Sequence, residues 1–208
     1  MKACTVILEA VASQDLWIWH SFFGMAGSHN DINVLQRSPV FARLAEGHSP
    51  EVNFEVNGHQ YTKGYYLADG IYPQWSTLVK TISNPQGEKR ARFAQAQESA
   101  RKDVERAFGV LQSRWAIVRH PARTWSSKKM WEVMTACVIM HNMIIEDERP
   151  EDIGFQDFQY RGTNVVPQRV PATFAQFTQF HAEMRDYQTH IQLQDDLVEH
   201  MWEHIGNQ

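Results

Sequence analysis

The sequence predicts a mixed α/β fold, in which helices pack against short β-strands. Two runs of β-branched and aromatic residues between positions 5 and 23 flank a polar turn and favour an antiparallel hairpin. Asn57-Gly58, set between alternating residues, is the strongest short signal for a second hairpin. Apolar residues recur at three- and four-residue spacing over 88–115 and 128–146, which is typical of α-helices.

The elements of the N-terminal part follow in a clear order. Strands are predicted over 5–12 and 16–23, and a glycine-containing loop over 24–30 follows them. Asp31 opens a helix that reaches about Arg37, and Ser38-Pro39 begins another that ends near Leu44. Residues 65–69 form a compact strand that ends in an acid, which is informative because functional groups of α/β sheets lie beyond the carboxyl ends of strands.

The C-terminal part is predicted to be helical with one irregular stretch. Residues 74–87 give a mixed pattern, and 88–115 then forms one basic helix. The helix over 128–146 is apolar on most of its faces, and we expect it to be buried. We divide the chain into a main domain (1–148), a linker or mobile loop (149–172) and an acidic helical segment (173–208).

Composition and charge narrow the function classes. The chain has 208 residues, 43% of them hydrophobic, with unbiased glycine and proline content, which excludes collagen, coiled coil and wholesale disorder. No apolar run reaches the ~20 residues of a membrane span, so no membrane association is expected. Residues 88–129 hold 11 Lys or Arg and 4 Asp or Glu, whereas residues 130–208 hold 4 and 13. A basic middle followed by an acidic end suggests a surface that faces a polyanion.

Three acids occupy positions that suggest a metal site. Asp31 follows the glycine loop, Asp69 ends a strand, and Glu105 lies on the basic helix. Carboxylates from separate elements are the oxygen ligands that Mg²⁺ prefers, and a two-metal site activates water for attack on a phosphodiester. Spacing alone is weak support, because the chain contains 24 acids.

The residues around these acids form sequence motifs that resemble those of PIF/Harbinger-type transposases and of the nucleases derived from them. Asp69 stands in Tyr-Tyr-Leu-Ala-Asp-Gly-Ile-Tyr-Pro, Glu105 in Val-Glu-Arg-Ala-Phe-Gly, and Asp31 in Gly-Ser-His-Asn-Asp-Ile-Asn-Val-Leu. The N-terminal hairpin and the apolar helix around His141 are also similar to that family, whose plant members the chain resembles most. The resemblance covers residues 5 to about 148.

The resemblance implies a ribonuclease-H-like DDE catalytic domain that cuts DNA with Mg²⁺ or Mn²⁺. In it, Asp69 matches the second catalytic aspartate and Glu105 the catalytic glutamate, and both bind metal. Asp31 matches an additional acid that serves as a metal ligand in some members. The family's first catalytic aspartate is expected on a strand upstream of Met1, so we expect impaired cleavage by this chain alone.

The basic segment supplies the expected DNA contacts. Six side chains are candidates for neutralising backbone phosphates. They are Arg90, Arg92, Arg101, Lys102, Arg106 and Arg114. The resemblance further implies a Myb-like accessory partner and a location in the nucleus, with the cytoplasm as a second compartment, and it is compatible with an oligomer.

Each assignment has a structural alternative. Asp69 also suits the cap of a turn, Glu105 an ion pair with Arg101, and Asn30-Asp31 a helix N-cap. The basic side chains also suit a solvated helix face, and His141 suits a hydrogen-bonded position in the core. The alternative function is a non-catalytic, transposase-derived module that binds DNA or protein.

Overall fold

The computed structural model describes residues 5–45, 52–122, 126–149 and 173–205. Six short strands and eight helices occupy this part of the chain in a mixed α/β arrangement. In order they are β1 (Val6–Ala12), β2 (Ile18–Ala26), α1 (Asp31–Arg37), α2 (Pro39–Ala45), β3 (Phe54–Val56), β4 (His59–Tyr61), β5 (Tyr66–Ala68), β6 (Leu78–Lys80), α3 (Glu88–Arg101), α4 (Asp103–Arg114), α5 (Ala116–Arg119), α6 (Ser127–Asp147), α7 (Phe174–Met184) and α8 (Tyr187–Ile205).

The chain divides into two compact units, each assembled from two separate stretches. The described residues of the first unit are 5–34, 102–122 and 126–149, and those of the second are 35–45, 52–101 and 173–205. The boundaries fall within α1 and between α3 and α4. Each unit therefore takes residues from an early and a late part of the chain, so its core forms through long-range contacts.

The first unit is built on the predicted N-terminal hairpin. β1 and β2 pair antiparallel, with register shifts after Ile7 and Val11. Their apolar face packs on α4 and α6, and the shared core contains Ile18, Leu111 and Cys137. Burial of this face drives the packing, because neither the hairpin nor an isolated helix is stable alone in water.

Ser126 caps helix α6 by accepting a hydrogen bond from the Lys129 N–H group. Further along the helix, His141 and Asn142 form hydrogen bonds with the backbone of the hairpin. His141 is fully buried, and its Nε2 bonds the Leu16 carbonyl oxygen at 2.9 Å. Asn142 accepts from the Ile18 N–H group at 3.0 Å and donates to the Ile18 carbonyl at 2.9 Å. The prediction of a hydrogen-bonded core histidine is confirmed.

The second unit contains two further strand pairs. β3 and β4 form the predicted hairpin, in which Asn57 and Gly58 have φ values of 53° and 84°. These left-handed conformations suit Asn and Gly and explain why that dipeptide marks the turn. Helix α8 packs against β3, β6 and α3, and it brings Leu193 and Val198 into one core with Val79 and Phe93.

The strands β5 and β6 are parallel, with Ala68 aligned to Lys80. Gln97 of α3, buried at 4% exposure, donates from Nε2 to the carbonyl oxygens of Ala68 at 3.1 Å and Val79 at 3.0 Å. One side-chain amide therefore hydrogen-bonds to the backbone of both strands near their carboxyl ends. The parallel arrangement brings the carboxyl ends of the two strands to the same edge.

Several expectations change in detail. The single helix predicted over 88–115 is two helices that meet at Lys102. The strand β6 lies in the stretch that gave a mixed pattern. The helix over 128–146, which was expected to be buried, buries one face that includes Cys137 and His141, whereas Ile139 is 55% exposed and Met143 61% exposed.

The domain division stays a prediction, and most of the proposed linker, residues 150–172, lies outside the described residues. Across the described residues, no helix is both long and apolar enough to cross a bilayer.

Candidate functional site

Asp69 lies directly beyond the carboxyl end of β5, in the second unit. Its Oδ1 accepts a hydrogen bond from the Gly70 N–H group at 2.6 Å, and its carbonyl accepts from the Tyr72 N–H group at 3.1 Å. The side chain nevertheless remains 53% exposed. Asp69 thus shapes the turn, as the structural alternative proposed, and still presents a carboxylate oxygen to solvent.

Two cations lie near Asp69. The Arg101 guanidinium, 16% exposed, has Nη1 4.0 Å from Asp69 Oδ2 and Nη2 2.6 Å from Glu98 Oε1. Lys80 ends β6, the strand that pairs with β5. Burial lowers the pKa of Lys80, and the negative charge of Asp69 partly offsets that effect. The edge therefore combines one exposed carboxylate with positive charge.

Asp31 begins α1 and is exposed in the first unit. The N-cap is the residue before it, because the Asn30 Oδ1 accepts from the Asn33 N–H group at 2.9 Å. The Asp31 side chain is therefore placed in the first turn, where the helix dipole favours a negative charge.

Gly27, which lies in the same sequence motif as Asp31, has a steric role. A Cβ on Gly27 would lie 1.9 Å from the Thr5 hydroxyl, and the Gly27 N–H group donates to the Thr5 carbonyl at 2.7 Å. Only glycine fits this close approach of the two chain segments.

Glu105 lies in the first turn of α4, also in the first unit, and its side chain is exposed. Two residues before it, Asp103 is buried and pairs with Arg106 at 2.6 Å. The acidic first turn of α4 therefore contains one buried structural acid and one acid that faces solvent.

The three candidate ligands are carboxylates, the donor type that a hard divalent cation requires. Across residues 5–45, 52–122, 126–149 and 173–205, no group of three or more His, Cys, Asp or Glu side chains is arranged to hold a metal ion. Each candidate thus has suitable chemistry, while a formed three-ligand group is absent from the described part of the chain.

The arginines predicted to bind DNA take part in ion pairs within their own units. These pairs are Arg90 with Asp195, Arg92 with Glu88, Arg101 with Glu98, Arg106 with Asp103, and Arg114 with Glu148. The Arg92 guanidinium also lies over the Trp202 ring, 5.3 Å from its centroid. Lys102 is exposed between α3 and α4. The basic face is thus partly neutralised by the protein's own acids.

Sequence reasoning missed Lys80 and Gln97. Lys80 ends a strand too short to show a periodic pattern, and Gln97 carries no signal of its own within a helix rich in polar residues. A buried glutamine one helical turn before Arg101 becomes meaningful only when the strand ends beside it are known.

Comparison with known proteins identifies the family. The family model described as plant transposon protein matches residues 1–152. Protein ALP1-like from Arabidopsis thaliana is 25% identical over an alignment of 155 residues, and the alignment covers 71% of this chain and 37% of that relative. The chain therefore spans little more than a third of the relative's length. No match was found among solved structures. The chain belongs to the plant transposon protein family, a Harbinger-type, transposase-derived group whose motifs its sequence resembles.

Proposed function

We propose that this chain is a divalent-metal-dependent, DNA-cleaving domain of the ribonuclease-H-like DDE type. The observation that carries the proposal is the position of Asp69. Its carboxylate is exposed directly beyond the carboxyl end of a parallel strand, within the region matched by the plant transposon family. Strand ends of this kind are where α/β folds place functional groups.

Asp69 and Glu105 are the proposed metal-binding catalytic residues, and Asp31 is the proposed additional ligand. All three side chains are exposed carboxylates, and each lies in one of the sequence motifs that resemble the transposase family. The proposed ions are Mg²⁺ or Mn²⁺, because both prefer oxygen ligands.

The proposed DNA contacts are the basic side chains of the segment around Glu105. Arg90 and its partner Asp195 are 50% and 51% exposed, so this ion pair is largely solvated. Exposed ion pairs contribute about 0–1 kcal/mol. Exchange of such a carboxylate for a DNA phosphate therefore has a small energetic cost, and counterion release favours it.

Calorimetric titration of the full chain with Mn²⁺ tests the metal proposal. We expect saturable binding that Asp69→Asn abolishes and Glu105→Gln weakens at least tenfold. Asp147→Asn is the matched control, because Asp147 is an exposed acid at the end of α6 and lies outside the three sequence motifs that resemble the transposase family. Binding that is unchanged in Asp69→Asn contradicts the proposal. Nicking of supercoiled plasmid by the same variants tests cleavage separately.

A non-catalytic module that binds DNA or protein is the second candidate. It is favoured by the lack of a formed three-ligand metal group among the described residues. The same titration separates the two candidates. DNA binding in EDTA without Mn²⁺ binding by the wild-type chain supports the module, whereas Asp69-dependent Mn²⁺ binding supports the nuclease.

We also propose a Myb-like protein as partner and the nucleus as the site of action. Both proposals rest on the family to which the chain belongs. Imaging of the fluorescently tagged chain with and without a co-expressed Myb-like partner tests them. Nuclear accumulation only in the presence of the partner is the expected result, and a uniform distribution in both cases contradicts it.

A further inference from the structure

Lys80 is a strand-end cation with no assigned role. Its backbone carbonyl accepts a hydrogen bond from Gln194 of α8 at 2.8 Å. Its ammonium group takes part in no hydrogen bond or ion pair with another described residue. This differs from Arg101 at the same edge, whose guanidinium is already paired with Glu98.

Gln97 fixes where Lys80 lies relative to Asp69. The two carbonyl groups that accept from Gln97 Nε2 belong to Ala68 and Val79, the residues that directly precede Asp69 and Lys80. The amide is buried, so these hydrogen bonds are shielded from competing water. The two strand ends are therefore held together immediately before the acid and the lysine.

The surroundings of Lys80 favour an anionic ligand. Lys80 is only partly exposed to solvent at this edge. A partly dehydrated cation gains more from a bound anion than a fully hydrated one. An ammonium is also a compact charge with three donors, which suits a phosphate oxygen.

We propose that Lys80 contacts a phosphodiester oxygen of the DNA bound at the Asp69 edge, and that Gln97 is the positioning residue for both. The proposal rests on the proposed nuclease function and adds a phosphate contact outside the basic segment. It assigns the backbone of the substrate, and no base, to this edge.

Fluorescence anisotropy with a labelled 20-base-pair duplex in EDTA tests the contact in the full chain. Lys80→Met keeps the aliphatic stem and removes the charge. We expect it to bind about fivefold more weakly, with the slope of log affinity against log salt smaller by about one. Lys80→Arg keeps the charge, and we expect near wild-type binding.

Lys63→Met is the matched control, because Lys63 lies in the same unit as Lys80 but outside the basic segment, and its ammonium pairs with Glu183 at 2.7 Å. Three results overturn the proposal: wild-type affinity in Lys80→Met, equal weakening in Lys63→Met, or no duplex binding by the wild-type chain. A loss in Lys80→Arg as large as in Lys80→Met also overturns it, because charge would then not be the cause.

The Mn²⁺ titration keeps this inference separate from the proposed function. Asp69-dependent Mn²⁺ binding together with wild-type DNA affinity in Lys80→Met leaves the metal proposal standing and removes the phosphate contact. Weakened DNA binding in Lys80→Met without Asp69-dependent Mn²⁺ binding has the opposite meaning: the contact exists, and the edge belongs to a binding module.

Discussion

At the scale of single residues, Asn142 imitates a strand. Its side-chain amide forms both an acceptor and a donor hydrogen bond with the backbone of Ile18. The amide thus takes the place of one residue of a neighbouring strand beside β2. A primary amide presents this donor–acceptor pair on one planar group, as a backbone peptide does.

Asn142→Asp is predicted to lower the free energy of unfolding by about 2 kcal/mol, because it replaces the donor to the Ile18 carbonyl with a second acceptor. Urea unfolding followed by circular dichroism measures the change. Asn84→Asp, at an exposed position near the end of the 74–87 stretch, is the control and is expected to stay within about 0.5 kcal/mol. Equal effects of the two substitutions would refute the role of Asn142.

Asp15 gives a pH-dependent contribution to stability. Burial raises the pKa of Asp15, but hydrogen bonds from Ser13 and Trp17 and the ion pair with Arg149 outweigh burial, so the net pKa falls below its usual 3.8. A lowered pKa in the folded state stabilises the protein above the unfolded pKa, and that stabilisation is lost as the pH falls through the folded pKa.

We therefore predict that Asp15→Asn destabilises the protein by about 1 kcal/mol at neutral pH. The difference from wild type should shrink below about pH 4 as the wild-type carboxyl protonates. Urea unfolding curves measured between pH 7 and pH 2.5 check this. A difference that stays constant over that range would mean that the charge of Asp15 contributes nothing.

At the scale of elements, Gln97 joins β5 to β6. Gln97→Leu preserves most of the volume but leaves the carbonyl groups of Ala68 and Val79 without their buried donor. We predict a loss of about 2–3 kcal/mol in the free energy of unfolding. Gln95→Leu, at an exposed position of the same helix, is the control. A loss below about 0.5 kcal/mol in Gln97→Leu would show that the two carbonyls find other donors.

Local signals in the sequence predicted many of these elements. Asn57-Gly58 identified a hairpin because its turn requires left-handed residues. Asp31 marked a helix start, because unpaired N–H groups there need acceptors or a negative charge. The break at Lys102 was not predictable, because no Gly or Pro interrupts the helical period at that point.

The strand β6 and its pairing were beyond local signals for a different reason. A three-residue strand shows no periodicity. Side chains of α3 and α8 also hydrogen-bond to the backbone of the β5–β6 pair, and these contacts come from distant parts of the sequence. The same reason applies to the site. The sequence motifs around Asp31, Asp69 and Glu105 identified these acids as candidate metal ligands. The ion pair of Arg90 could not be predicted in this way, because its partner Asp195 lies 105 positions further along the chain.

At the scale of the whole molecule, the second unit depends on helix α8. Leu193 and Val198 complete the core that contains Val79 and Phe93. The Asp196 carboxylate is buried and accepts a hydrogen bond from the Tyr61 hydroxyl. Loss of α8 therefore removes apolar cover and leaves a buried hydroxyl without its acceptor.

A variant that ends at residue 172 is predicted to lose amide hydrogen-exchange protection at Val79 and Phe93. Protection at Ile18 and Val138 should persist, because their core draws on residues of the first unit. Exchange measured by mass spectrometry of peptides from both units checks this. Full protection at Val79 in the variant would contradict the dependence on α8, and loss at Ile18 would show that the units fold together.

The late position of α8 also has a consequence during synthesis. Between the end of α3 and the residues of α8 that cover it, the ribosome must add roughly a hundred residues, which takes about 5–20 s. During that interval the apolar side chains of Val79 and Phe93 emerge without their partners. The nascent chain therefore exposes apolar surface of the kind that chaperones bind, and the rate of translation between residues 102 and 193 sets how long that exposure lasts.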